Sequence, residues 1–356
     1  MKKLLLTGAV LGAMALLPIN TAKAGDNHSL RADDHAPIGI MGDHMHKAGD
    51  FMISARAMRM EMKDNRDGDL SLSPEDIVTR FANPFAPPPT LRVVPTEMTT
   101  DMVMLGAMYA PTDDLTLMLM GHYIDREMDH ITFQGMMGTT RLGTFTTEAK
   151  GWGDTKASAL IRLYEDNTHH VHLNAGLSLP TGSITEEDQV LTPMNTTPTL
   201  RLPYAMQLGT GTFDLHPGIT YYGSHQRFGW GTQYMGRFAL GDNDEDYSWG
   251  DKHLLNIWGS YLITPAVSVS ARITAEHESQ INGMDNQITA PVQTANPDNF
   301  GGKRLSTSFG INTVVPNGML KGHRFSAEVT LPVYQNLNGP QLERDHMIML
   351  GWSKAF

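Results

Sequence analysis

Cysteine is absent from the 356 residues. A disulfide framework, a thiolate metal site and a cysteine nucleophile are thereby excluded. Long apolar runs are missing too: after Pro18 none approaches the roughly 20 residues that a membrane-spanning helix needs. Positive charge is in short supply, with 27 Lys and Arg against 38 Asp and Glu and a formal net charge of −11. Such a chain has no electrostatic footprint for nucleic acid, so none is expected as a partner.

What is present begins with a compartment signal. Met1-Lys2-Lys3 is a basic start, 4–17 is an apolar run broken by Pro18, and Ala22-Lys23-Ala24 is an A-x-A cleavage site before Gly25. These features predict a secretory signal peptide over 1–24. Its removal takes away Lys2, Lys3 and Lys23 and moves the net charge from −11 to −14. At the other end, Phe356, Lys354, Trp352, Leu350, Ile348 and His346 alternate with Ala355, Ser353, Gly351, Met349 and Met347. This is the period of a strand, ending on an aromatic residue. Two settings suit it: the closing strand of a soluble sandwich, or an outer-membrane barrel whose larger apolar face meets lipid and whose last aromatic sits in the interfacial girdle.

Between the ends, alternating segments are separated by alternately long and short connections. Strands are predicted at 50–62, 97–110, 115–128, 155–165, 168–179, 211–222, 225–240, 253–264, 267–280, 303–315, 322–334 and 344–356. Each is near the roughly 9 to 11 residues that cross a bilayer at a tilt. The expectation is an all-β, 12-stranded antiparallel transmembrane barrel over 50–356, with 25–49 a periplasmic N-terminal segment able to plug it. Short turns near Asp113, Asn167, Ser224, Pro265 and Asn317 are expected to be periplasmic. Loops near Pro88, Gly138, Pro193, Asp244 and Pro291 are expected outside the cell.

Parity sorts the faces. Leu115, Leu117, Leu119 and Tyr123, then Val171, Leu173, Ala175, Leu177 and Leu179, then Phe325, Ala327, Val329, Leu331 and Val333 form lipid faces. The opposite faces place Arg56, Lys156, Arg162, Arg227, Arg237, Arg272, Arg304 and Arg324 inside, with Asp214, Glu276, Glu278 and Glu328. Such a lumen is either a salt-bridged filling or a solute-selective lining.

Of 24 methionines, 15 lie between Met41 and Met137. Ten of them stand on the inward faces of the first three strands, Met52, Met58, Met60 and Met62, then Met98, Met102, Met104 and Met108, then Met118 and Met120, with His122 beside the last. Packing, an adaptable apolar route and copper handling all suit thioethers. His44-Met45-His46, just upstream, is the candidate copper ligand set. Its histidines share one side if the segment is extended.

Two other patterns are weaker. Asp64-Asn65-Arg66-Asp67-Gly68-Asp69 resembles a calcium loop but has Lys63 where an aspartate is required, which leaves a solvated or ion-bridged loop. His277-Glu278-Ser279 is a His-x-Ser pair at the outer end of a strand, with Asn282 and Asn286 nearby. Outer-membrane phospholipases use such groups, but nothing else matches and no enzyme activity is expected.

Several pieces carry a family resemblance: Leu177-Ser178-Leu179-Pro180-Thr181-Gly182-Ser183-Ile184, Leu202-Pro203-Tyr204-Ala205-Met206-Gln207-Leu208-Gly209, Pro297-Asp298-Asn299-Phe300-Gly301-Gly302 and the run from Leu331-Pro332-Val333-Tyr334 to Leu342. The chain resembles bacterial outer-membrane transporter-like barrels grouped with the meta-pathway phenol-degradation family. The resemblance implies an outer-membrane barrel with a transport role and carries over no catalytic residue and no solute. The expected function is a channel or transporter for small solutes, hydrophobic or aromatic compounds among them. Its partners are then outer-membrane lipid and lipopolysaccharide, the barrel assembly machinery and the solute. The rival readings are a copper-handling protein, a membrane-embedded hydrolase and a structural or adhesive barrel.

Overall fold

The computed structural model describes residues 31–356; the predicted signal peptide lies outside them. Seventeen strands follow in chain order: β1 (Phe51–Gly68), β2 (Leu70–Leu72), β3 (Val93–Thr112), β4 (Leu115–Phe133), β5 (Arg141–Trp152), β6 (Thr155–Glu165), β7 (His169–Leu179), β8 (Glu187–Gln189), β9 (Thr199–Arg201), β10 (Asp214–His225), β11 (Phe228–Ala239), β12 (Tyr247–Ser248), β13 (Lys252–Thr264), β14 (Val267–Glu278), β15 (Asn282–Gly283), β16 (Gly302–Val314) and β17 (His323–Ala355). One short helix, α1 (Pro74–Arg80), is started by Ser73, whose hydroxyl accepts from Asp76 N while its own N–H donates to the Asp76 carboxylate. Pro74, with no N–H to leave unpaired, stands in the first turn.

Thirteen strands share one sheet, and pairing of β17 with β1 closes it. Eleven lie on the closed path: β1, β3, β4, β6, β7, β10, β11, β13, β14, β16 and β17. The other two, β2 and β5, pair with β1 and β4 outside that path, and the β8–β9 and β12–β15 pairs stand in the long connections. Closure matters because an open edge leaves a row of N–H and C=O groups without partners.

The structure thus divides the ring into 11 strands where alternation predicts 12. The difference lies in β17, 33 residues long. Its residues 324–337 pair with β16 and its residues 337–355 with β1, so the predicted strands 322–334 and 344–356 are joined without a break. A second departure is β5, which occupies a predicted loop and pairs with the Tyr123–Phe133 half of β4. Thr144-Phe145-Thr146-Thr147-Glu148 has no apolar face to announce a strand.

The outward faces are apolar. Leu117, Leu119, Leu173, Phe325 and Leu331 are exposed as parity predicts, as are Ile257, Ile273, Phe309, Ile348 and Leu350. Inside, the packed groups come from three sources: methionines of the wall, buried ion pairs, and chain that folds in from both ends. Where the long connections gather, Tyr204, Tyr247, Ile288, Val292 and Phe300 form an apolar cluster across that end of the ring. Directly below it Met98, Met128, Leu202, Met206 and Leu342 form a second cluster.

Candidate functional site

At the opposite end, residues 31–50 cross the inside of the ring. Ala32 N donates to Pro265 O in the β13–β14 turn (2.9 Å), and Gly49 N donates to Ala110 O near the β3–β4 turn (2.8 Å). Between these anchors the segment is irregular, and the wall satisfies its backbone. Gln233 donates to Met41 O at 2.9 Å, the His172 ring lies 2.9 Å from Gly42 O, and His46 N donates to the Thr116 hydroxyl at 3.0 Å. Asn312 donates to His35 O and Ala36 O, each at 3.2 Å.

Apolar groups hold the same segment. Ile38 is buried with Met104 and Met349, and Met41, Met58, Met102 and Met347 pack around them. Met45 packs with Met52, Met108, Met118 and Leu160. The methionines form cross-strand rows: Met349 opposite Met58 opposite Met102, and Met52 opposite Met108 opposite Met118. Met60 stands opposite Met347, and Met120 opposite Gly106. Parity finds most of this wall but treats the closing strand apart, and so misses that Met347 and Met349 extend it across the seam.

The facing wall is ionic. Glu276 lies 2.9 Å from Arg344, 3.1 Å from Arg304 and 3.4 Å from Lys252, and Glu278 lies 2.7 Å from Arg237 and 3.3 Å from Lys252. Four cations therefore meet two carboxylates, an excess of two positive charges, or of one once Asp214, which interacts electrostatically with Arg237, is counted. Nearer the crossing segment, Arg272 pairs with Glu328 at 2.5 Å and also donates to Asn256 at 2.9 Å. Gly39 passes so close to this pair that an added Cβ would lie well under 3.0 Å from both side chains.

The remaining predicted residues have varied surroundings. Arg56 lines a cavity of about 50 Å³ with Met52, Met108, Met118 and Met120. His122 abuts Gly153, Arg162 donates to Asp113 O at 3.0 Å, and Arg324 donates to Arg31 O at 2.8 Å. Arg227 is a correction: it is exposed in the β10–β11 turn and does not line the interior. There the positive φ of Gln226 marks the reversal: β10 runs on to His225, three residues past its predicted end at 222, so the turn falls after Ser224 and takes in Arg227. His277 is exposed and stacks on His253 at 6.2 Å; among the described residues no hydrogen bond joins it to Ser279, Asn282 or Asn286.

The predicted copper set is also rearranged. His44 and His46 share a side, their rings 4.8 Å apart, but Met45 turns to the methionine wall. The groups that converge are His35, Asp43 and His44. Burial pushes the His35 imidazole well below its usual range, aided by His44 and Arg324. Burial works the other way on Asp43, yet the charge and hydrogen bond of His44 hold its carboxyl far below the usual carboxylate range.

An outer-membrane channel from Pseudomonas putida F1 superposes with a TM-score of 0.56 over 89% of this chain and 99% of that one, at 13% identity. The fold is shared with an outer-membrane channel. The P. putida toluene transporter TodX (TM-score 0.44, 10% identity, 87% and 91% of the two chains) and the NanC porin (0.43, 8%, 84% and 98%) superpose more loosely. No family model matches the sequence, the phenol-degradation family included, and no curated protein does.

Proposed function

We propose that the protein is a bacterial outer-membrane channel for small solutes, its lumen occupied by its own residues 31–50. The observation that carries this reading is the pairing of an apolar outer belt with a ring interior of ions, thioethers and inserted chain. A water-soluble ring would not leave so continuous an apolar surface uncovered, whereas lipid covers it at no cost.

On this reading the chain crosses the membrane 12 times. The two ladders of β17 are both antiparallel, to β16 and to β1, and Leu337 is the residue they share. An all-antiparallel ring cannot close on an odd number of strands, and the ladders use successive halves of β17, so the chain reverses there, at Gly339 with φ of 70°, and the β5–β6 run forms one stave beside β4. The methionine wall supplies an adaptable apolar side to the path. It favours solutes with an apolar or aromatic body.

Deleting residues 35–46 and recording single-channel conductance in planar bilayers tests the reading. Larger conductance is expected, with the barrel still folded by heat-modifiable gel mobility. Unchanged conductance in a folded barrel would reject the occupied lumen.

A further inference from the structure

The inserted segment carries a cluster that solute passage does not use. His35, Asp43 and His44 each offer one donor atom, and the three atoms lie within 4.8 Å of one another. The rings of His35 and His44 are 4.0 Å apart between centroids. Asp43 is fixed from two sides: one oxygen accepts from Ala36 N at 2.8 Å, and the other lies 2.9 Å from His44 Nδ1.

That second contact decides the state of the His44 ring. A carboxylate oxygen facing Nδ1 makes Nδ1 the protonated nitrogen and leaves the lone pair on Nε2. Nε2 is buried and has no hydrogen-bond partner, in a residue only 8% exposed. Buried polar atoms are rarely left so. A carboxylate behind one nitrogen with the other nitrogen free is the arrangement that orients a metal-binding histidine. His35, Asp43 and His44 all border the 50 Å³ cavity, whose other walls include Met52, Met108, Met118 and Met120.

We propose that His35 and His44, with Asp43, bind a transition-metal ion of the kind that prefers imidazole, zinc or copper(II). Imidazole ligands oriented by a carboxylate suit such ions, whereas magnesium and calcium require a shell of oxygens. At a site of imidazole nitrogens the Irving–Williams order ranks copper(II) above zinc. The cluster differs from the set singled out in the sequence: the fold replaces Met45 and His46 by His35 and Asp43. The fixed charges facing it are Arg56, on the same cavity, and Arg324, which reaches Asp34 and Arg31 O. Both oppose an added cation, so the anionic charge of Asp43 is essential to the site. Asp43 thus acts as a positioning and charge-balancing residue.

The full-length protein, purified in detergent and stripped with chelator, is titrated calorimetrically with Zn²⁺ alone and with Cu²⁺ alone. One ion per chain is expected, Cu²⁺ more tightly than Zn²⁺. His35→Gln and His44→Gln should each weaken binding at least about 100-fold, and Asp43→Asn about 10- to 100-fold, while His46→Ala stays within about threefold. Copper(II) paramagnetic resonance should show nitrogen coupling that His35→Gln reduces, and heat-modifiable mobility confirms that each variant is folded. No saturable binding by the wild type, binding retained in the His35→Gln/His44→Gln double variant, or equal loss in His46→Ala would overturn the assignment. Conductance is not the readout, so failure here leaves the channel reading standing.

Discussion

The close approach of Gly39 to the Arg272–Glu328 pair offers the sharpest test of how firmly the inserted segment is seated. In Gly39→Ala the added methyl meets two side chains that cannot easily step aside, because Arg272 is also held by Asn256 and both ion-pair partners are buried. Two outcomes compete. Breaking a buried ion pair costs about 3–5 kcal/mol, whereas overpacking relieved by movement of the segment costs about 1–3 kcal/mol. The cheaper route wins, and the segment lifts. At about 1.4 kcal/mol per tenfold, the ratio of seated to unseated segment falls by about 5- to about 140-fold. Planar-bilayer recordings should show more frequent or larger openings than wild type, and trypsin should cut more readily after Lys47. Gly259→Ala is the control, since a Cβ there meets only Gly229 O at 4.0 Å. Unchanged conductance and unchanged cleavage in Gly39→Ala would refute the account of how the segment is held.

Other outcomes rest on the same geometry. Ile38→Ala removes the apolar anchor between Met104 and Met349; it should weaken seating by about 2–5 kcal/mol and raise conductance without altering barrel mobility on gels. Glu276→Gln leaves Arg344, Arg304 and Lys252 facing one carboxylate fewer, which should cost about 3–5 kcal/mol in urea unfolding. Because cations outnumber carboxylates in that cluster, the reversal potential in a KCl gradient should have the sign of chloride preference; potassium preference would contradict it. Ser73→Ala removes the cap of α1, at about 1 kcal/mol, and should speed proteolysis between β2 and β3 while leaving the barrel intact. Cysteines placed at Asp244 or Pro291 should label on intact cells and those at Asn167 or Asn317 should not; the opposite pattern would invert the orientation.

The sequence makes the ring legible because period-two alternation survives in segments that are apolar on one side only. Leu117 and Leu119, or Phe325 and Leu331, identify their face without knowledge of their neighbours. Parity fails where the ladder slips. Counting back from Phe356 puts Arg344 on the same face as His346, yet Arg344 points inward to Glu276, because Glu61 pairs with His346 and Met62 with Arg344, leaving Asp345 as a bulge. Lys252 is missed for a simpler reason: it precedes the predicted start of its strand. The methionine wall is visible as composition, whereas the partners of residues 31–50 are not. Three of those partners, His172, Gln233 and Asn312, are 130 to 277 residues away in the chain, and no local pattern encodes such distances.

The crossing segment also has a mechanical consequence. It leads directly into β1, one side of the seam where the first and last strands meet, while its hydrogen bonds reach β7, β11 and β16 on other parts of the ring. It therefore works as a tie rod. A force that draws β1 away from β17 loads these bonds in tension as well as the ladder itself. The strands that grip the rod are made after it, so the seam is braced only when the last third of the chain is in place.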